Sequence, residues 1–172
     1  LAAVLSLLSY VLDGNQPSIT ILEIAPGLPI KFELEPLGML FACVAAILWP
    51  INTLYSIGYM RSNNEKHQTR FYVCFAIAIS STMGIALAGN LLTLFIFYEI
   101  LTLSTYPLVT HKGNEDAMKA GRVYLGILMS TSIGFLLLGI LWTWSLTGTL
   151  DFKLGGILSG KVAGPELIVL LF

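Results

Sequence analysis

The chain has 172 residues, of which 56% are hydrophobic and only 11% charged, with a formal net charge of −1 and a mean hydropathy of +0.82. Soluble domains carry about 25% charged residues, so this composition excludes an ordinary soluble domain and reads as a membrane protein. The near-zero charge by itself says nothing about partners, and no nucleic acid is expected among them.

Charge placement says more. Residues 36–60, 71–98 and 123–150 contain no Asp, Glu, Lys or Arg, and each window exceeds the ~20 residues that a spanning helix needs. Cys43 and Cys74 fall inside these windows and read as small buried apolar residues. No metal-ligand spacing is visible, and neither is a Gly-rich phosphate loop or a nucleophile elbow. Neither a metal nor a cofactor is therefore expected.

Taken in order, residues 1–12 read as the end of a spanning helix, closed by the turn signal Asp13-Gly14-Asn15. Residues 19–34 change character. Two β-prone runs flank Ala25-Pro26-Gly27-Leu28-Pro29, and the second alternates Ile30, Phe32 and Leu34 with Lys31, Glu33 and Glu35. That pattern predicts a short hairpin outside the lipid. A second helix is expected over 37–60, kinked at Pro50, with Asn52 and Ser56 available to the freed backbone. After a polar connection at 61–70, a third helix runs over 71–88. Gly89-Asn90 makes a tight turn into a fourth over 90–110, so helices three and four should be antiparallel neighbours. Asn114 is an expected N-cap, with Glu115 and Asp116 where a helix dipole favours acid, for a fifth helix over 115–147. Residues 149–164 form a Gly-rich loop, and Pro165-Glu166 opens a last helix over 165–172. The opening LAAVLSLLSYVL lacks a Met or a basic n-region, and the closing ELIVLLF stops after about two turns. Both ends suggest one membrane-domain piece, 1–172, of a longer polytopic chain.

Basic residues suggest an orientation. The connections 61–70 and 111–122 hold Arg61, Lys66, Arg70, Lys112, Lys119 and Arg122, against Lys31, Lys153 and Lys161 on the other side. The positive-inside rule puts the first group in the cytoplasm. Trp142 and Trp144 then fall near the outer interface.

The residue of most interest is Glu99, the one acid within the apolar run 90–111. At ~1.5 Å per residue it lies roughly 13–18 Å from either end of that run, close to a bilayer midplane. A carboxylate there is costly, so such residues face a protein interior or a watery cavity and mark an ion path. Leu92, Phe95, Ile96, Thr102, Leu103 and Tyr106 share its helix face. Thr102 and Tyr106 could continue a polar track from Glu99 to the helix end. The bland alternative is a structural carboxylate, although Ser or Asn would bond neighbouring helices at lower desolvation cost. Pro107 reads as a kink or terminator, with a hinge as the other reading. Lys119 and Arg122 lie three apart on one face, where they serve either as interfacial anchors or as the border of a proton mouth. By rise alone neither reaches Glu99, about 16 Å below, so its charge partner is not expected in this piece. His111 is an interfacial residue or a relay. The clusters Ser80-Ser81-Thr82 and Ser130-Thr131-Ser132 allow close helix packing.

The stretch FYEILTLSTYPLVTHKG, with AGNLLTLFIF before it and AMKAGRVYLGILMSTS after it, closely resembles the proton-conducting membrane transporter family. That family comprises the antiporter-like subunits of respiratory complex I and the Mrp-type Na+/H+ antiporter subunits. LSTYPLVTHK, KAGRVYLGIL and TGTLDFKLGGIL look most like the D branch of the Mrp subunits, and LYSIGYM at 54–60 matches the close of the family's third helix. The resemblance implies an all-α antiporter-like bundle, part of a fold of about fourteen helices with inverted repeats, in the bacterial inner (plasma) membrane. It implies that Glu99 matches a family glutamate paired with a lysine two helices later, so that a proton on the lysine loosens the pair and gates proton movement. It also implies other integral membrane subunits as partners, and protons with Na+ as the transported ions.

Three functions follow from the sequence. The first is a subunit of a multi-subunit cation/proton antiporter. The second is a proton-pumping subunit of complex I or a related hydrogenase, whose electron transfer would occur in other subunits, since nothing here could hold flavin, haem or an iron–sulfur cluster. The third is an assembly scaffold that transports nothing. The resemblance predicts a lysine in the middle of the helix that continues past Phe172. Reading the next ~80 residues of the gene checks it, and an apolar helix there would remove the paired-charge mechanism.

Overall fold

The structure, a computed structural model, describes residues 2–161. The elements are α1 (Ala2–Leu12), β1 (Ser18–Ala25), β2 (Leu28–Glu33), α2 (Pro36–Ser62), α3 (Gln68–Ala86), α4 (Leu91–Val109) and α5 (Glu115–Thr131). A π-helical stretch (Ser132–Leu137) then leads into α6 (Leu138–Thr147). Helices α2, α3, α4 and the continuous 33-residue rod Glu115–Thr147 are each long and apolar enough to cross a membrane. The helix expected at 165–172 lies outside the described residues.

Local chemistry sets each boundary. Pro36 opens α2, where its missing N–H costs nothing. The helix runs through Pro50, and the two hydroxyls near it do not serve the Ala46 carbonyl that Pro50 frees. Thr53 Oγ1 donates to the Trp49 carbonyl at 3.0 Å, and Ser56 Oγ to Thr53 at 3.2 Å. The start of α3 comes earlier than the expected 71, because the Gln68 side-chain amide donates to the Met60 and Glu65 carbonyls and turns the chain there. Asn114 caps α5 by accepting from the Ala117 amide at 2.9 Å, with Glu115 and Asp116 in the first turn. Pro107 sits two residues before the end of α4, so it closes that helix rather than dividing it.

The long fifth helix differs from a plain rod. Thr131 Oγ1 donates back to Ile127 and Leu128, and Ser132 Oγ to Met129. Such back-bonding competes for the carbonyls that the next turn needs, and the wider π turn begins at this point.

The hairpin is antiparallel, with Ser18 opposite Glu33 and Ala25 opposite Leu28. Its turn is Pro26-Gly27, with Gly27 at φ +79, the left-handed position that a proline-initiated turn asks of its next residue. The hairpin does not stand free. The Glu33 amide donates to the Leu87 carbonyl and the Gly89 amide to the Lys31 carbonyl, both at 2.9 Å. On the far side of the α3–α4 turn, the Leu91 amide donates to the Leu150 carbonyl at 3.1 Å and the Phe152 amide to that of Gly89 at 3.3 Å. The turn is thus a short extended segment between the hairpin and the loop after α6. This explains why α3 ends at Ala86 and not at 88.

Asn90 and Thr93 lock the junction, and both are fully enclosed. Asn90 Oδ1 accepts from the Thr93 amide at 2.8 Å, Asn90 Nδ2 donates to the Pro29 carbonyl at 2.7 Å, and Thr93 Oγ1 accepts from the Lys31 amide at 2.9 Å. Lys31 adds an ion pair to Glu33 at 2.8 Å, with Asp151 at 3.9 Å. The hydrogen bond to Glu33 holds the Lys31 ammonium above its ordinary range, against a smaller opposing effect of burial.

Two small apolar clusters flank this junction. Leu34, Met39 and Ala42 pack with Val4, Leu7 and Met83, joining α1, α2 and α3. Phe95, Ile140 and Leu150 pack with Leu28 and Trp144, joining α4 and α6 to the hairpin tip. Trp144 is therefore partly spent on packing, whereas Trp142 stays exposed. Helices α3 and α4 lie close because Gly84 has no side chain where the Phe97 ring sits.

Asn90→Ala removes a helix cap and a buried bridge together. It should cost about 2–3 kcal/mol, measured as a lower unfolding temperature of the purified assembly. Asn90→Asp keeps the cap but loses the donor to Pro29, and should fall between the two.

Candidate functional site

Position 99 is halfway along α4, a helix enclosed on more than one side. Thr93, Phe95, Thr102 and Ser104 are its buried residues, and they do not form a single stripe. Both carboxylate oxygens of Glu99 are buried, and neither has a hydrogen-bond partner among the described residues. A buried carboxylate left without donors is costly, which makes this the least satisfied group on the helix.

The residues expected to extend from Glu99 fall into three groups. Thr102 is 3% exposed, and its hydroxyl donates to the Tyr98 carbonyl at 3.0 Å. That proton is committed to its own helix. Tyr106 is half-buried and faces α5 at Gly121, where a Cβ would lie 3.3 Å from the phenol ring. Lys119 and Arg122 are exposed on α5, and Arg122 Nε donates to the Met118 carbonyl at 3.3 Å. These two cations do not meet Glu99.

His111 lies beyond the end of α4. Its side chain is 12% exposed, and its Nε2 stands 3.8 Å from Glu65 Oε2. Both ring nitrogens are buried without hydrogen-bond partners among the described residues. Its carbonyl accepts from the Arg70 guanidinium at 3.3 Å. The connections 61–70 and 111–122 therefore share one end of the bundle, and the hairpin, the α3–α4 turn and the loop after α6 share the other.

Sequence reading missed two features of the site: the Glu65–His111 approach, which needs the α2–α3 connection folded onto the α4–α5 connection, and the π turn. The Ser130-Thr131-Ser132 cluster carried a signal for the π turn, because three adjacent hydroxyls can back-bond. No group of three or more His, Cys, Asp or Glu is arranged to hold a metal among the described residues.

Among the described residues, four membrane-length helices and an enclosed acid without a hydrogen-bond partner make up a polytopic helix bundle, and known proteins of this kind are similar to it. Residues 88–167 match the family described as NADH:quinone oxidoreductase/Mrp antiporter, TM. The chain is 27% identical over 147 residues to the N-type subunit of the NADH-quinone oxidoreductase of Desulforudis audaxviator, covering 85% of this chain and 29% of that protein. It is 27% identical over 141 residues to the D-type subunit of an Na(+)/H(+) antiporter of Alkalihalophilus pseudofirmus, covering 81% and 28%. Among solved structures, a chain of the Mrp complex from a Dietzia species shares the fold, with a TM-score of 0.67 and 24% identity over 87% of this chain and 28% of that one. The chain is thus similar to antiporter-type membrane subunits of the Mrp and NADH:quinone oxidoreductase kind and shares their fold, and its long apolar helices suit a multi-pass membrane protein. It spans less than a third of the length of these curated relatives.

At the α4–α5 contact a Cβ on Gly121 would overlap Thr110 Cγ2. Gly121→Ala should therefore destabilise the protein by about 1–3 kcal/mol, read as lost assembly or a lower unfolding temperature. Thr110→Ser removes that methyl and should restore most of the loss in the double variant.

Proposed function

We propose that this chain is the proton-carrying part of a protein like the D-type Mrp subunit, in a multi-subunit monovalent cation/proton antiporter, with Glu99 in the proton path. The observation that carries the reading is the Glu99 carboxylate, enclosed and without a donor among the described residues. A carboxylate enclosed without donors is costly unless a cation stands beside it or a proton neutralises it. It can thus take a proton when the cation leaves and release it when the cation returns. The sequence resemblance supplies the expected cation, a lysine two helices later. Thr102 and Tyr106 extend the polar face of α4 from Glu99, Tyr106 toward the end that bears the connections 61–70 and 111–122. That end is cytoplasmic in this reading, from its six basic residues, Arg61, Lys66, Arg70, Lys112, Lys119 and Arg122. Lys119 and Arg122, exposed there, act as interfacial anchors. Other integral membrane subunits complete the assembly, and the similarity to the D-type subunit of an Na(+)/H(+) antiporter supports Na+ as the exchanged ion.

A second reading, a proton-pumping subunit of an NADH-quinone oxidoreductase, rests on equal identity, 27%, to the N-type subunit of such an enzyme. In that case the same acid would serve a machine whose electron carriers lie elsewhere.

Glu99→Gln in the intact assembly keeps the shape of the side chain and abolishes its titration. Ion-driven proton exchange in membrane vesicles should fall at least tenfold while the amount of assembled complex stays unchanged. Normal exchange would reduce Glu99 to a structural group and leave the scaffold reading. Exchange driven by NADH oxidation, and not by an Na+ gradient, would favour the second reading.

A further inference from the structure

A cavity of about 390 Å³ lies between α2, the start of α3, the end of α4 and the start of α5, and the Glu99 mechanism makes no use of it. Asn52, Ser56, Glu65, His111 and Lys112 supply its polar lining. His111 is the anomaly within it. The ring packs edge-on against Phe71 at a centroid distance of 5.4 Å, and both nitrogens are closed in without hydrogen bonds among the described residues. Glu65 Oε2 approaches Nε2 to 3.8 Å, about 0.6 Å beyond hydrogen-bond range. An imidazole held this way is under-served, and two sources can relieve it: water in a cavity large enough to admit it, or a proton shared with Glu65.

We infer that this cavity is the aqueous mouth of the proton route, and that His111, set against Glu65, is the group that loads protons there. The inference rests on the proton-translocating reading above and adds to it a second titrating site, one that lies outside the membrane span. In the loading step the ring turns so that a neutral imidazole nitrogen meets cavity water and takes a proton from hydronium, leaving water behind. The imidazolium then closes onto the Glu65 carboxylate as a charge-assisted hydrogen bond. Release of the same proton to cavity water returns both groups to their starting state.

The charged and titratable groups around the ring come from every element that packs there. Glu65 comes from the α2–α3 connection, Lys112 follows in the chain, Arg70 on α3 sits on the His111 carbonyl at 3.3 Å, and the Tyr55 and Tyr59 phenols line the cavity from α2. Lys112 and Arg70 oppose a further positive charge. Both are exposed, so solvent screens them. The Glu65 carboxylate, within 3.8 Å of the ring and 27% exposed, opposes them.

The test is the pH profile of ion-driven proton exchange by the intact assembly, with pH varied on the side that bears His111. The wild-type rate should show an inflection between about pH 5 and 8, the range in which histidine changes charge. H111Q should abolish that inflection and lower the maximal rate about tenfold. E65Q should alter that inflection, since the imidazolium loses its hydrogen-bonding counter-charge. An inflection left in place in H111Q, with the rate lowered equally at every pH, would make the residue structural and overturn the inference. Should H111Q fail to assemble, E65Q decides alone, and an unmoved inflection in it is equally fatal. The Glu99 reading is judged separately: E99Q loss beside an unchanged H111Q profile sinks only the mouth, and normal exchange in E99Q sinks the Glu99 reading.

Discussion

The enclosed side chain of Asn90 gives its oxygen to the Thr93 amide and its nitrogen to the Pro29 carbonyl, so one group both starts α4 and ties that helix to the hairpin. A helix pinned at its first turn has its rotation fixed along its whole length, because each residue advances the face by a set angle. The direction of Glu99, two and a half turns on, is therefore settled at the α3–α4 turn. The backbone bonds from Gly89 and Leu91 to the hairpin and to the loop after α6 reinforce the same setting. The inward placement of the acid is thus held by polar contacts at the far end of the helix as well as by apolar packing around it.

The two ends of the bundle differ in kind. At the hairpin end, buried polar atoms find partners: Asn90, Thr93, Lys31 and the extended segment between them are all bonded. At the other end, His111, which lines an open cavity, is buried without hydrogen-bond partners among the described residues. A fully bonded junction is rigid, whereas buried polar atoms left unpaired are costly. One end is therefore anchored by polar contacts, and the other is less fully bonded among the described residues.

Much of the fold could be read from the sequence because it depends on two strong signals. Three stretches without charge and the apolar run 90–111 with its single acid marked the four long helices, and the alternation of Ile30, Phe32 and Leu34 with charged neighbours marked the hairpin. Asn114 showed its role as a cap by its position before two acids. What the sequence hid depends on long-range pairing. Asn90 looked like a turn residue, yet its amide reaches a carbonyl sixty-one positions earlier in the chain. Ser56 looked able to relieve Pro50 but bonds the Thr53 carbonyl instead. For the site, Glu99 stood out as a lone acid in an apolar run, and its enclosure follows from helices packing on more than one side of α4. The closeness of Glu65 to His111 had no local signal, because the two residues belong to different connections.

The continuous rod Glu115–Thr147 has a consequence for the bilayer itself. Its uncharged part, residues 123–147, is about 37 Å long at helical rise, against a hydrocarbon thickness of ~30 Å. Such hydrophobic mismatch is accommodated by leaning the helix, bending it or thickening the surrounding lipid. The π turn at Ser132–Leu137 interrupts the regular ladder within this over-long span, at the point where a helix too tall for its membrane can most cheaply change direction.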